Sequence, residues 1–300
     1  MSRRRKALIA FLLWAGITAA FVYIVGSEGK NESFKPVDEF KLDPWIKLDL
    51  GFADMSINKA VLYLFLASGL TILTMTWVAR RMQERPNNVQ TGMEVAYDLA
   101  FNTITRNNMD DRMTRRWFPF VATLFFFIWF SNMLGYVPLP VNTHEKVDVF
   151  GLELPALALY SATANLSIPL VLTLVVWLSY QVEGVRAKGV IGYLRSWIPS
   201  GTPTRMRPFI FGIEIISQLV RVISLSVRLF ANILAGHMLL LFMGGGLAVL
   251  QGLAALGVVT LPAALLFYLF EVGLVATLQA FIFATLTSIY LGEATAAHGH

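Results

Sequence analysis

The chain has 300 residues, 56% of them hydrophobic and only 14% charged, with a formal net charge of +5. Soluble domains carry about 25% charged residues, so this composition, with a mean hydropathy of +0.62, excludes an ordinary soluble fold and indicates an all-α polytopic membrane protein. The absence of cysteine excludes disulfides and thiolate metal sites, and the excess cations sit in short loops beside apolar runs, so they do not point to nucleic acid.

Residues 1–26 open with Ser2-Arg3-Arg4-Arg5-Lys6 and continue as an apolar run from Ala7 to Val25. A basic start followed by Thr18-Ala19-Ala20 fits a signal peptide or an uncleaved span with its N-terminus inside. The run beyond Ala20 favours the span. Residues 27–58 mix both charges and are expected outside, on the membrane surface. A span is predicted from about Ala60 to Val78, with Arg80, Arg81 and Arg85 marking its inner end. Residues 90–108 are too polar to cross. Met93, Ala96, Leu99 and Ile104 recur at roughly helical spacing, which suits an amphipathic helix in the inner interface.

The next spans are predicted from Trp117 to Tyr136 and from Ala156 to Tyr180. Between them, the outer loop 139–155 sets one lysine (Lys146) against Glu145, Asp148 and Glu153. The loop 181–207 that follows is basic, with Arg186, Lys188, Arg195, Arg205 and Arg207. This alternation supports the topology.

The last elements are too long for upright spans. Phe209 to Met243 has no proline, and as one helix it is about 50 Å long, against about 30 Å of hydrocarbon. Gly244-Gly245-Gly246 is the first clear turn. Leu247 to Gly292 is longer still, and a standard count would divide it in two. The expected arrangement is instead a hairpin of two long, steeply tilted helices, within a total of five to seven membrane-embedded helices. The reason is chemical. Glu214, Arg221, Arg228, His237 and Glu271 lie in this apolar stretch, and ionisable groups at membrane depth need protein or water beside them. Glu214, Arg221 and Arg228 are spaced i, i+7, i+14, along one helix face.

Ser224-Leu225-Ser226-Val227-Arg228-Leu229-Phe230-Ala231-Asn232, followed by Ala235-Gly236-His237, resembles the signature of the a subunit of the rotary F-type ATP synthase. So does Leu278-Gln279-Ala280-Phe281-Ile282-Phe283-Ala284 with Tyr290-Leu291. Ser131-Asn132-Met133-Leu134-Gly135 through Pro138, and Thr163-Ala164-Asn165, are weaker echoes. The resemblance covers roughly residues 60–293. Residues 1–58 match poorly, and an extra N-terminal span (or signal peptide) with an exterior segment there departs from the family's usual form; the membrane domain is expected over 59–293, with a tail over 294–300.

The resemblance implies a non-catalytic, multi-pass subunit of the cell membrane, with its C-terminus in the cytoplasm and no cofactor. Its implied partners are a ring of c subunits, the b-subunit peripheral stalk and the F1 head. Ions, most simply protons, would pass through two offset half-channels and drive rotation of the ring. Arg228 matches the arginine that stands between them. A guanidinium stays charged in practice, so it would attract an ionised ring carboxylate, favour proton release there and repel a leaking cation. His237 stands where some members have a glutamate, and Glu271 near where those have a histidine. With Asn232 and Gln279 they would line the outer half-channel, and Glu214 matches an acid of the inner one. Glu271 and Gln279 are eight residues apart where the pattern has seven, so a register shift is expected near Gly273. Arg221 either pairs with Glu214 as a structural ion pair or joins the path. Ser224 either bonds to the backbone or lines it.

Two other classes fit less well. An antiporter-like carrier also buries Arg, Glu and Asn, but would show an internal repeat with paired broken helices, and none is visible. An intramembrane hydrolase would set its serine in a Gly-rich turn, whereas the serines here fall mid-helix.

Overall fold

A computed structural model describes residues 44–47, 56–80, 87–140, 146–149, 152–155, 157–199, 201–243 and 257–296, together with Arg5, Leu12, Gly16, Phe40 and Leu42. Most of the expected N-terminal span and of the exterior segment, the turn at Gly244–Gly246 and the last residues of the tail lie outside these.

Among the described residues, five helices are long and apolar enough to cross a membrane. The first, α1 (Lys59–Arg80), ends on its basic residue. Two of its threonines satisfy their donors within the helix: Thr71 and Thr76 each donate to a carbonyl one turn back, at 2.7 Å. Helix α2 (Asn88–Asp98) starts at Asn87, whose side chain accepts from the Gln90 amide at 2.8 Å. It runs on as a π-helical segment, Leu99–Arg106. Ala100, Ile104 and Thr105 of that segment are buried, which gives the amphipathic character expected for this stretch.

Helix α3 (Asp111–Gly135) is the central post. It packs against α1, the π-helical segment and the last helix of the chain, and its Val121, Phe125 and Ile128 are fully or nearly fully buried. The connection after α3 folds into two small antiparallel ladders, β1 (Leu139–Pro140) with β4 (Leu157–Ala158), and β2 (Lys146–Val149) with β3 (Leu152–Pro155). Described strand is confined to this loop, so the class is all-α.

The fourth span departs from expectation. Helix α4 is Ser167–Lys188, not 156–180. The apolar run begins earlier, but Ala162–Ala164 forms a 3-10 turn because its polar neighbours bond across to α3. The Asn165 side chain then accepts from the Ser167 amide at 3.0 Å as the helix opens. At its other end, the helix continues past Tyr180 because the buried Glu183 finds Arg116 at 2.7 Å. Gly189, at φ +71°, breaks the chain direction before α5 (Val190–Ser196).

Helix α6 (Arg207–Leu241) is a single helix of 35 residues, about 52 Å long. Helix α7 (Gly257–Phe270), a π-helical turn (Glu271–Val275) and α8 (Ala276–Thr295) follow without a break. The long pair anticipated from the sequence is present, and the division of the last stretch into two spans is not. At the end of α8, Gly292 lets the helix touch the Asn108 carbonyl, which a Cβ would strike. Close approach at small residues replaces the hydrophobic drive that lipid cannot supply between helices.

Candidate functional site

Helix α6 has two faces. Gln218, Leu225, Leu229, Ile233, Gly236 and His237 are buried against the other helices. Ile216, Val220, Ile223 and Val227 point outward, each more than 40% exposed. Ser224, Arg228 and Asn232 belong to this open face. The Arg228 guanidinium donates to Ser224 Oγ at 3.4 Å, one turn earlier. Among the described residues, no carboxylate pairs with it. Thus Ser224 meets Arg228, while Ser226 bonds back to Val222 and Ile223 in the bland way expected of intramembrane serines.

Toward the Arg207 end lies a cavity of about 420 Å³, lined by Tyr180, Glu214, Gln218, Arg221, Tyr290 and Glu293, among others. Gln218 donates to Glu214 Oε1 at 2.8 Å and accepts from the Tyr180 hydroxyl at 2.7 Å. The ion pair considered between Arg221 and Glu214 is not found. Arg221 bonds to Glu293 at 2.9 Å and lies over the Tyr290 ring, 4.9 Å from its centroid. The reason is tertiary: α8 brings a closer acid than the one two turns away on the same helix. Glu293 and Tyr180 were not legible as site residues, and Tyr290 was legible only as the end of the second motif.

Toward the other end, a second cluster forms between α3, α6 and the α7–α8 helix. His237 is fully buried. Its ring nitrogens lie 2.9 Å from the Gly135 carbonyl and 2.9 Å from the Ile233 carbonyl. Neutral imidazole has one N–H, so it donates to one of these at a time, and only the imidazolium donates to both. Glu271 is also buried. Its carboxyl lies on the bare Cα of Gly236, where a Cβ would collide with it, and it accepts from the Tyr136 hydroxyl at 3.0 Å. The Tyr136 ring lies against His237, tilted by 31° with centroids 4.6 Å apart, and Tyr268 donates to the Tyr136 carbonyl at 3.0 Å. The acid and the imidazole are therefore neighbours bridged by Tyr136, a residue inside one of the weaker echoes to which the sequence reading assigned no role.

The π-helical turn begins at Glu271 itself. A π turn holds one residue more than an α turn, and this accounts for the eight-residue separation between Glu271 and Gln279. Gln279 is buried on α8. Asn132, fully buried, joins the walls. It donates to the Ala276 carbonyl at 3.3 Å and accepts from Thr163 Oγ1 at 2.7 Å. The motif echoes around Asn132 and Thr163 are thus the two ends of one hydrogen bond. Asn232 stands apart from both clusters, exposed one turn beyond Arg228. Among the described residues, no group of three or more His, Asp or Glu could hold a metal ion.

The family model described as ATP synthase A chain matches residues 61–292. The "ATP synthase subunit a" of Rubrobacter xylanophilus is 34% identical over 248 residues, covering 82% of this chain and 87% of that protein. Its namesake in Hyphomonas neptunium is 32% identical, covering 88% and 97%. That of Anaplasma marginale is also 32% identical, covering 88% and 99%.

Proposed function

This chain belongs to the ATP synthase A chain family, a multi-pass, non-catalytic membrane subunit of the ATP synthase complex, and on that premise we propose that it passes protons through two offset half-channels, with Arg228 as the fixed charge between them. The observation that carries the reading is the open position of Arg228. A guanidinium left facing lipid costs several kcal/mol, and this one has no carboxylate of its own chain among the described residues. A mobile carboxylate on a ring of c subunits, set against the open face of α6, is the counter-charge that fits. The fixed cation would release the proton from each passing carboxyl group.

The two clusters lie on either side of Arg228, as half-channels require. Glu214 is fourteen residues before it, about 21 Å along the axis, and His237 nine residues after it, about 13.5 Å the other way. Glu214 and the cavity around it serve the inner path. His237, Glu271 and Gln279 serve the outer one, with Asn232 at the passage toward the ring. In this reading the b stalk and the F1 head complete the assembly, residues 1–58 add an extra span (or a signal peptide) and an exterior segment to the 59–293 domain, and the C-terminus lies in the cytoplasm.

Arg228→Ala tests this directly. In inverted membrane vesicles, ATP-driven acidification is expected to disappear while subunit content stays normal. Arg228→Lys should fail too, since an ammonium is compact, strongly hydrated and lacks the planar fork. Normal coupled pumping in Arg228→Ala would remove the central role given to this residue.

A further inference from the structure

We infer that Glu293 is a positioning residue of the inner path: it holds the Arg221 guanidinium away from Glu214 and so leaves Glu214 able to exchange protons. The inference rests on the inner-path reading of Glu214 and assigns a role to the far end of α8.

The geometry supplies the reason. Glu214 and Arg221 are seven residues apart on α6, about 10.5 Å along the axis and on nearly the same face. Two extended side chains reach across such a gap, so the pair would form if nothing competed. Glu293 competes. It takes Arg221 Nη1 at 2.9 Å, and the Tyr290 ring beneath the guanidinium holds the cation flat against α8. Glu214 is left with a neutral partner, the Gln218 amide at 2.8 Å. An amide can yield its place to water as the acid gains or loses a proton. A guanidinium would hold the carboxylate ionised.

Formal charge leads to the same conclusion. Glu214, Arg221 and Glu293 give the cavity wall a net charge of −1, which favours a cation entering from solvent. Without Glu293 the sum is zero, and Arg221 and Glu214 neutralise each other. The position of Glu293 is itself fixed. Its neighbour Gly292 rests on the Asn108 carbonyl with no room for a Cβ, so the end of α8 cannot rotate Glu293 out of reach without losing that contact. Arg221 and Glu293 are 29% and 55% exposed, as a pair at a water-filled mouth should be, and at such exposure the pair is worth at most about 1 kcal/mol.

The experiment uses the whole ATP synthase complex in inverted vesicles. Glu293→Gln is expected to slow ATP-driven pumping about fivefold, the ratio to which about 1 kcal/mol corresponds, with unchanged subunit content. Adding Arg221→Gln to it should restore most of the lost rate, because the cation that captures Glu214 is then gone. A merely structural role for Glu293 predicts no such rescue. Pumping at the normal rate in Glu293→Gln, or a double variant as slow as the single one, overturns the inference. If Glu293→Gln lowers the amount of complex, the exchanged pair Arg221→Glu with Glu293→Arg takes its place. It must pump faster than Arg221→Glu alone, and an equal or slower rate overturns the inference. Glu214→Gln, measured alongside, separates the two levels. A slow Glu214→Gln beside a normal Glu293→Gln overturns the role of Glu293 alone. A normal Glu214→Gln overturns the inner-path reading and this inference with it.

Discussion

Gly236→Ala isolates the contact between α6 and the π-helical turn. The added Cβ would overlap Glu271 Oε2 and lie 2.5 Å from Cδ and 2.9 Å from Oε1. Ordinary contact begins near 3.4 Å, so the carboxyl group must retreat by roughly 1 Å. Glu271 is the far end of a flexible side chain, so it can move, and the backbone need not. What it loses is the Tyr136 hydroxyl, now 3.0 Å away and then near 4 Å, outside hydrogen-bonding range. That bond is worth about 0.5–1.5 kcal/mol if the acid is neutral and about 1.5–3 kcal/mol if it is charged. Replacing a mid-helix glycine by alanine returns about 0.5–1 kcal/mol. For a neutral acid the two nearly cancel in stability, and for a charged one a net loss of about 0.5–2.5 kcal/mol remains; in transport they do not cancel, because only the first concerns the acid's position. The complex is therefore expected to melt within a few degrees of the parent, while ATP-driven pumping falls about tenfold, the rate equivalent of about 1.4 kcal/mol. Tyr136→Phe removes the same hydrogen bond, so the double variant should pump about as slowly as either single one. Parental pumping in Gly236→Ala, or full additivity with Tyr136→Phe, would refute the reasoning.

Three further outcomes are expected. In the exchange His237→Glu with Glu271→His, pumping should exceed what the separate effects predict, and simple additivity in a double-mutant cycle would mean that the two sites do not interact. The exchanged acid at 237 faces the Gly135 carbonyl and can donate to it only when protonated, so recovery should be partial. Single cysteines at Glu214→Cys and His237→Cys, in this chain without native cysteine, should react with membrane-impermeant silver or thiol reagents from the inside and the outside respectively; labelling of both from one side would defeat the offset half-channel assignment. Gly292→Ala should destabilise the complex by about 1–3 kcal/mol, since the new Cβ meets a backbone carbonyl that cannot swing away, and a thermal-melting measurement showing no loss would disprove that account of the α8 end.

The sequence by itself determined the class, the order of the elements and the face of α6 that carries Arg228. Those properties are local. Apolar runs fix which segments enter lipid, and the 3.6-residue period fixes which side chains share a stripe. The length of α6 was legible because nothing between Phe209 and Met243 could break a helix. Partners were not legible. Arg221 finds Glu293 across 72 residues and Tyr136 finds Glu271 across 135, pairings set by how the helices rotate against one another. The start of α4 escaped for a related reason: Ser161 and Thr163 turn toward α3 because the Ser131 carbonyl accepts from one and Asn132 Oδ1 from the other, and hydropathy carries no trace of those acceptors. The eight-residue step from Glu271 to Gln279 was visible as an oddity, but only the packed structure turned it into a π-helical turn. There the local preference for an α turn yields to the demand that the Glu271 carboxyl meet Tyr136 and the bare Cα of Gly236 at once.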